Sequence, residues 1–448
     1  MHHLLRMERD TVVVQPGLGF QLLQQSLQTM GRWLPPAPLS AAYSTIGGAV
    51  ANDAGSEKSV KYGTIRRYVK GLRVVLSDGS LVETRRLSPR ELSRKKGQSN
   101  LEGELYRGLD NLLTDHAELI ASHTPATTKN TAGYGRSHVR GRDGSFDLSQ
   151  IFIGSQGTLG IITELTLCTI AWQPRTTLVA AYCHDLHAVG DIMERLRALA
   201  PSALEFVDGH LLEQVRRERP QDITGLLPDG RLPRLVLLAE FDNRSFVMQT
   251  LRSRRAHALL GRHEAPGHIT ADPVQQRALW KLRESATAVS LLAAGAKRAV
   301  PFVDDLIVPP AAFAQCLERL SRLLGKHGIE CGLWGHAGDG HIHLQPLLDL
   351  SKTKDQSRLF ALAEDLTDLA ASLGGSISGQ YGDGLARGPY LERLYGSEYA
   401  AVLAQVKQLF DPHGILNPGK KTAATHDGAR AALRADYLPP FPQFLPYT

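Results

Sequence analysis

The chain has 448 residues, more than a single hydrophobic core usually organises, so two domains are expected. Hydrophobic residues make up 42% and charged residues 21%, a globular balance that argues against a largely disordered chain. Net charge is +6, from 51 Lys and Arg against 45 Asp and Glu; the basic residues are dispersed and form no stripe with interleaved aromatics, which excludes nucleic acid as the expected partner.

That mild charge supports at most an attraction to anionic substrates or to anionic lipid at the inner face of a membrane. No apolar run reaches the roughly 20 residues that cross a bilayer. Met1 to Asp10 carries His2, His3, Arg6, Glu8, Arg9 and Asp10 in place of an apolar signal core, so a cytoplasmic location is expected. Cys168, Cys183, Cys316 and Cys331 are too scattered for a thiolate metal cage or an iron–sulfur cluster, and buried, reduced thiols are expected.

In chain order, Thr11 to Val14 reads as a buried strand ended by Pro16-Gly17, and Phe20 to Gly31 as a helix with Leu22, Leu23, Leu27 and Met30 at helical spacing. Ser44 to Gly63, STIGGAVANDAGSEKSVKYG, holds four glycines and many small residues; such a segment lets another backbone or a ligand approach closely. Leu72 to Leu76, Asp78-Gly79 and Leu81 to Thr84 read as a hairpin, and Glu102 to Ser122 as one helix. Ile151 to Ile153 leads into GSQGTLGIITELTL, a glycine loop feeding a strand. Past Pro174, strands at Leu178 to Tyr182 and Leu235 to Glu240 alternate with helices near 189–199 and 245–260, the pattern of an α+β domain on an antiparallel sheet. Helices follow at Pro310 to His327, 357–373 and 396–410, and the tail from Ala423 to Thr448 is expected to pack irregularly or fray.

The densest chemistry lies in Trp334 to Pro346, WGHAGDGHIHLQP. Asp339-Gly340 is a favoured two-residue hairpin turn, which would pair Gly338 with His341 and His336 with His343. Period-2 parity then puts His336, His341 and His343 on one face, with Leu333 and Ile342 on the other. Imidazoles opposed across a hairpin suit a divalent ion such as Zn²⁺ or Mn²⁺; the alternative is a half-exposed hairpin whose histidines bond to each other or to water. A second glycine loop, SISGQYGDGLARG, offers Gln380, Asp383 and Arg387, and FDPHGILNPGK reads as a helix stop followed by turns. The sequence contains no GxGxxG after a strand, no Walker-type P-loop and no GxSxG elbow.

Four phrases together, TIGGAVANDAG, GSQGTLGIITE, GHAGDGHIH and LFDPHGILNPGK, carry a resemblance. The chain resembles the FAD-linked oxidases of the vanillyl-alcohol oxidase and p-cresol methylhydroxylase fold, and within them the D-lactate, glycolate and D-2-hydroxyglutarate dehydrogenase group. The resemblance implies an FAD-binding domain over 1–172, incomplete at its N-terminus because relatives begin with a lobe carrying a PGGGT-like phosphate loop. It implies an α+β, ferredoxin-like substrate domain with C-terminal helices over 173–422, and a tail over 423–448.

It further implies that Gly47, Gly48, Asn52, Gly55, Tyr62 and Gly63 form one FAD-contacting segment, and Gly154, Gly157, Thr158, Gly160 and Ile162 a second. Asn417 would lie near the flavin. His336 and His343 match metal ligands, and Arg283, with Thr287 one turn on, matches the clamp for a substrate carboxylate, with Lys297 or Arg298 as a second cation. A base would take the hydroxyl proton as hydride passes to the flavin, and electrons would leave to a quinone, a cytochrome or an iron–sulfur partner. The sequence departs from the pattern where relatives carry SGEHG. Gln380 and Tyr381 replace the Glu ligand and the His base, and His341 stands where relatives carry Asn. His341 is therefore the expected substitute ligand or base, with Tyr381 the weaker alternative because an unperturbed phenol titrates near ~10. The rival expectations are a non-catalytic subunit that keeps the fold, and a metal enzyme without flavin.

Overall fold

The computed structural model describes residues 1–227, 230–263, 265–291 and 296–435, with the side chains at 286, 287 and 289–291 left undescribed. The first part is built on a six-stranded antiparallel sheet in the order Leu4–Met7, Thr11–Val14, Ile161–Cys168, Val69–Val75, Leu81–Leu87, Phe146–Asp147. The strand after the glycine loop at 154–160 thus inserts between the strand at Thr11–Val14 and the Val69 to Leu87 hairpin. That topology draws the two glycine segments together, since each sits at the end of one of these strands.

The second part is an antiparallel sheet in the order Gly267–Thr270, Thr177–Cys183, Leu235–Phe241, Ala203–Asp208, Cys331–His336, His341–Leu348, Arg298–Ala299, with Leu306–Ile307 also paired to His341–Leu348. Its central strands, TLVAAYC, ALEFVD and LVLLAEF, are buried along their whole length because helices cover both faces. Alternation survives in the packing. Val179, Ala181, Cys183, Leu235 and Leu237 join the large core shared with helices Val189–Ala198, Phe246–Arg262 and Phe313–His327. Leu178, Ala180, Tyr182, Val236 and Leu238 pack with Leu211, Leu212, Leu279 and Leu282 of the helices on the other face, together with Trp334.

Several expected elements take a different form. The helix expected over Glu102 to Ser122 is two helices, Leu101–Asp115 and Ala117–Ser122, meeting at His116. The tail contains a short helix, His426–Ala431, capped by Thr425 and placing the Arg430 guanidinium 4.1 Å over the Phe360 ring; positions 436–448 lie outside the described residues. Cys183, Cys316 and Cys331 are buried free thiols, whereas Cys168 is half-buried. Among the described residues no helix is long and apolar enough to cross a membrane.

Candidate active site at the histidine hairpin

The histidine hairpin closes differently from the expected two-residue turn. Ala337–Asp339 form a 3₁₀ turn and Gly340, at φ 70°, completes it in the left-handed region that glycine enters without strain. His336 therefore pairs with His341, and Trp334 with His343. The register moves by two positions, an even shift, so all three histidines stay on one face, now with Trp334 beside them. The alternative of a half-exposed hairpin is overturned: His341 and His343 are completely buried and His336 is 4% exposed.

Each imidazole is held by an acceptor. His336 Nδ1 lies 2.8 Å from Glu205 Oε1, His343 Nδ1 2.8 Å from the Asp304 carbonyl, and His341 Nε2 2.7 Å from Asp305 Oδ1. Asp305 also accepts from the backbone N–H groups of Gln380 and Tyr381, which fixes the carboxylate in place. Glu205 also accepts from Arg283 and Asp305 from two backbone N–H groups, so both are read as carboxylates, and these and the carbonyl accept from the rings. His336 and His343 are then protonated on Nδ1 with a lone pair on Nε2, and His341 is protonated on Nε2 with a lone pair on Nδ1. The Nδ1 of His341 has no hydrogen-bond partner.

The side chain of Gln380 fills the space between the other two rings. Its Nε2 is 3.1 Å from His336 Nε2 and 3.3 Å from His343 Nε2, and its Oε1 accepts from Lys129 Nζ at 2.7 Å. Burial, reinforced by the Lys129 charge, holds His336 and His341 well below 6.5, and burial with the neighbouring rings does the same for His343. Burial pushes the Glu205 carboxyl up to about 7 against the pull of Arg283, and raises the Tyr381 phenol, which makes Tyr381 a poorer base than its residue type suggests. The His343 ring stacks on Trp334 at 4.0 Å, and the Arg283 guanidinium lies 4.2 Å over the far ring of that pair while its Nη2 donates to Glu205 Oε2 at 2.9 Å.

The two glycine segments adjoin this centre. Thr45 caps helix Ile46–Asn52 by accepting from the Gly48 N–H, and Gly154 N and Gln156 N donate to the carbonyls of Val50 and Ala51 at its other end. Gln156 then ties the layers together: its amide bonds Asn52 Oδ1 and the Tyr381 carbonyl, and its own carbonyl accepts from Asn417 Nδ2 at 2.7 Å. A side chain at Gly55 would stand 2.6 Å from Gln380 Oε1, so the first segment lies directly against the loop that reaches the histidines.

Other predicted residues have more ordinary partners. Gly47 packs on Pro16 and Gly160 on Val74, where a Cβ would sit 2.4 and 2.5 Å from side-chain atoms. Thr158 is buried and bonded to Tyr134, Ile162 lies in the sheet opposite Val74, and Tyr62 donates to Asp242 beside Gly63 at the helix end. Asp383 accepts from Lys421 and Gly133, and Arg387 pairs with Asp304, so both brace the loop. Lys297 and Arg298 are not brought to the histidines: Arg298 pairs with Leu348, at the opposite end of the strand from His341. The Thr287 side chain falls outside the described residues. Sequence reading missed Lys129, Glu205, Asp305 and Arg66. Arg66 is buried and joins the two glycine segments through Asp53 Oδ2 at 2.7 Å and the Ile153 carbonyl at 2.8 Å. No local pattern marks these four; each acquires its partner from far along the chain.

Buried imidazoles held by two carboxylates and a carbonyl, and bordered by two glycine segments, define a buried polar binding centre as the class of site. The profile of FAD linked oxidases, C-terminal domain, matches residues 173–421, and that of the FAD binding domain matches residues 1–85. The chain belongs to the FAD linked oxidase family. It is 30% identical to D-2-hydroxyglutarate dehydrogenase of Escherichia coli (strain K12), over 92% of this chain and 42% of that protein. It is 28% identical to a glycolate oxidase subunit of Bacillus subtilis (strain 168), over 94% of this chain and 78% of the subunit. The chain thus spans about two-fifths of the length of the D-2-hydroxyglutarate dehydrogenases it matches. The fold superimposes on p-cresol methylhydroxylase with substrate bound at a TM-score of 0.64 and 14% identity, covering 95% of this chain and 79% of that one.

Proposed function

We propose that the chain carries the flavin and substrate centre of a dehydrogenase that oxidises a D-2-hydroxy acid of the D-2-hydroxyglutarate, glycolate or D-lactate class to the 2-oxo acid. The observation that carries this reading is His341, a neutral imidazole with its Nε2–H held by Asp305 and its Nδ1 lone pair unpartnered. That is the protonation state a general base needs.

The glycine segments fit FAD. Gly48 is exposed in the first turn of its helix, and a Cβ at Gly157 would meet open space, so backbone at both points is free to approach a pyrophosphate or a ring. When bound, FAD supplies the acceptor for the hydride that leaves the substrate α-carbon. The substrate hydroxyl gives its proton to His341 Nδ1, and the α-carbon loses hydrogen with its bonding pair, which leaves a carbonyl. Asp305 stabilises the imidazolium formed at His341. Arg283 and Lys129 are the buried cations that would hold a substrate carboxylate, each already beside a carboxylate of the chain, Glu205 and Asp339. Tyr381 stays protonated, and its backbone N–H positions Asp305.

The electrons leave to an acceptor on another molecule, a quinone, a cytochrome or an iron–sulfur protein; the subunit character of the Bacillus subtilis relative supports such a partner. The test is the visible spectrum of the purified chain under anaerobic conditions. Oxidised flavin absorption near ~450 nm is expected to bleach with one of the three D-2-hydroxy acids and not with the matching L-acid where one exists. A bound flavin that none of them reduces favours a subunit without catalysis.

A further inference from the structure

The imidazole trio has the composition of a metal site, since the ligand atoms of His336, His341 and His343 lie within 4.8 Å of one another. The donor and acceptor count says otherwise. His336 and His343 each present one Nε2 lone pair, and the Gln380 amide group has two N–H donors, which are directed at these two atoms at 3.1 and 3.3 Å. Lys129 can only donate, and it donates to Gln380 Oε1, so the amide cannot turn its oxygen toward the rings without opposing carbonyl oxygen to two lone pairs and nitrogen to ammonium. The third ring's Nε2 is bonded to Asp305, which leaves its Nδ1 as the one ring lone pair of the trio that the amide does not cover. Gly55 provides the space that the amide oxygen and Lys129 Nζ occupy.

We propose that this centre is closed by side chains and works without a divalent ion, with the Gln380 amide on the two Nε2 atoms that an ion would take and Lys129 as the fixed positive charge. Lys129 cannot move to water, because its side chain is 2% exposed and stands 3.5 Å from the Asp339 carboxylate. The imidazoles therefore orient the Gln380 amide, and Lys129 fixes its other end, so side chains hold the place an ion would take.

The inference does not depend on which hydroxy acid is oxidised, and its test reads metal instead of turnover, so its failure is distinct from failure of the proposed function. Flavin-loaded wild type, a His343→Ala control and a Lys129→Met/Gln380→Glu double variant are incubated with Zn²⁺ or Mn²⁺, desalted and assayed by plasma mass spectrometry. The control subtracts exposed chelators such as His2 and His3. Wild type is expected to retain no more than about a tenth of an equivalent above the control, and the double variant about one equivalent. Retention near one equivalent by wild type overturns the proposal, as does a folded double variant, judged by circular dichroism, that takes up no metal. Should the double variant fail to fold, the wild-type value decides alone.

Discussion

At the scale of residues, Asp305 does the most to define what His341 can be. It accepts from the ring Nε2–H and from two backbone N–H groups, so it has no freedom to rotate away. Asp305→Asn leaves the shape intact but offers an amide donor to Nε2, which moves the ring proton to Nδ1 and removes the unpartnered lone pair there. Flavin reduction by the hydroxy acid is expected to slow by about 10²- to 10⁴-fold with flavin content unchanged, as read by stopped-flow absorbance. His336, His341 and His343 were legible in the sequence because a period of two survives any even change in loop length. Their register was not, because nothing local distinguishes a two-residue turn at Asp339-Gly340 from the 3₁₀ turn that forms. Glu205 and Lys129 were illegible for another reason: they reach the cluster from 131 residues before His336 and 251 before Gln380, where no spacing rule operates.

At the scale of elements, strand Ala203–Asp208 supplies both ends of a support. Glu205 faces the histidines, and Asp208 caps helix Gly209–Glu218 by accepting from Leu211 N while also accepting from Leu333 N on the histidine hairpin. Burial raises the Asp208 carboxyl from the ordinary 3.8 to about 7. A carboxyl raised in the folded state binds more protons folded than unfolded, so its contribution is fully present below the unfolded value and is lost as the pH climbs through about 7. Asp208→Asn keeps one of the two acceptor oxygens, at a pH-independent cost from the N–H left unpaired, and does not titrate. Thermal unfolding is therefore expected to show wild type losing stability relative to the variant between pH 5 and about 7.5, with a constant difference contradicting the assignment. This strand was not foreseen, since ALEFVD is short and buried on both faces and shows no polar alternation. TLVAAYC and LVLLAEF were legible as strands because their apolar runs are bounded by Pro174 and by Pro233.

At the scale of the whole molecule, the two sheets are fastened where the first glycine segment ends. Lys58 Nζ pairs with Glu240 at 2.7 Å, Lys61 pairs with Asp242, and the Tyr62 hydroxyl donates to Asp242 at 2.6 Å. Asp242 is 3% exposed, so Asp242→Ala leaves a hydroxyl and an ammonium without their acceptor at the seam. Urea unfolding is expected to register a loss of about 1–3 kcal/mol, with earlier separation of the two parts under limited proteolysis. Tyr62 was singled out in the sequence for contact with FAD, yet its hydroxyl serves this seam. The family resemblance identified the segment, but the partner of a single hydroxyl depends on how two sheets dock.

His341→Gln tests most directly whether His341 is the base of the proposed reaction. Gln retains a donor toward Asp305 and lacks a titratable lone pair. Anaerobic mixing of the flavin-loaded variant with the preferred D-2-hydroxy acid is expected to give flavin reduction at least about 10²-fold slower than wild type, with equal flavin content and an unchanged circular dichroism spectrum. Reduction at the wild-type rate would contradict the assignment of His341 as the group that takes the hydroxyl proton.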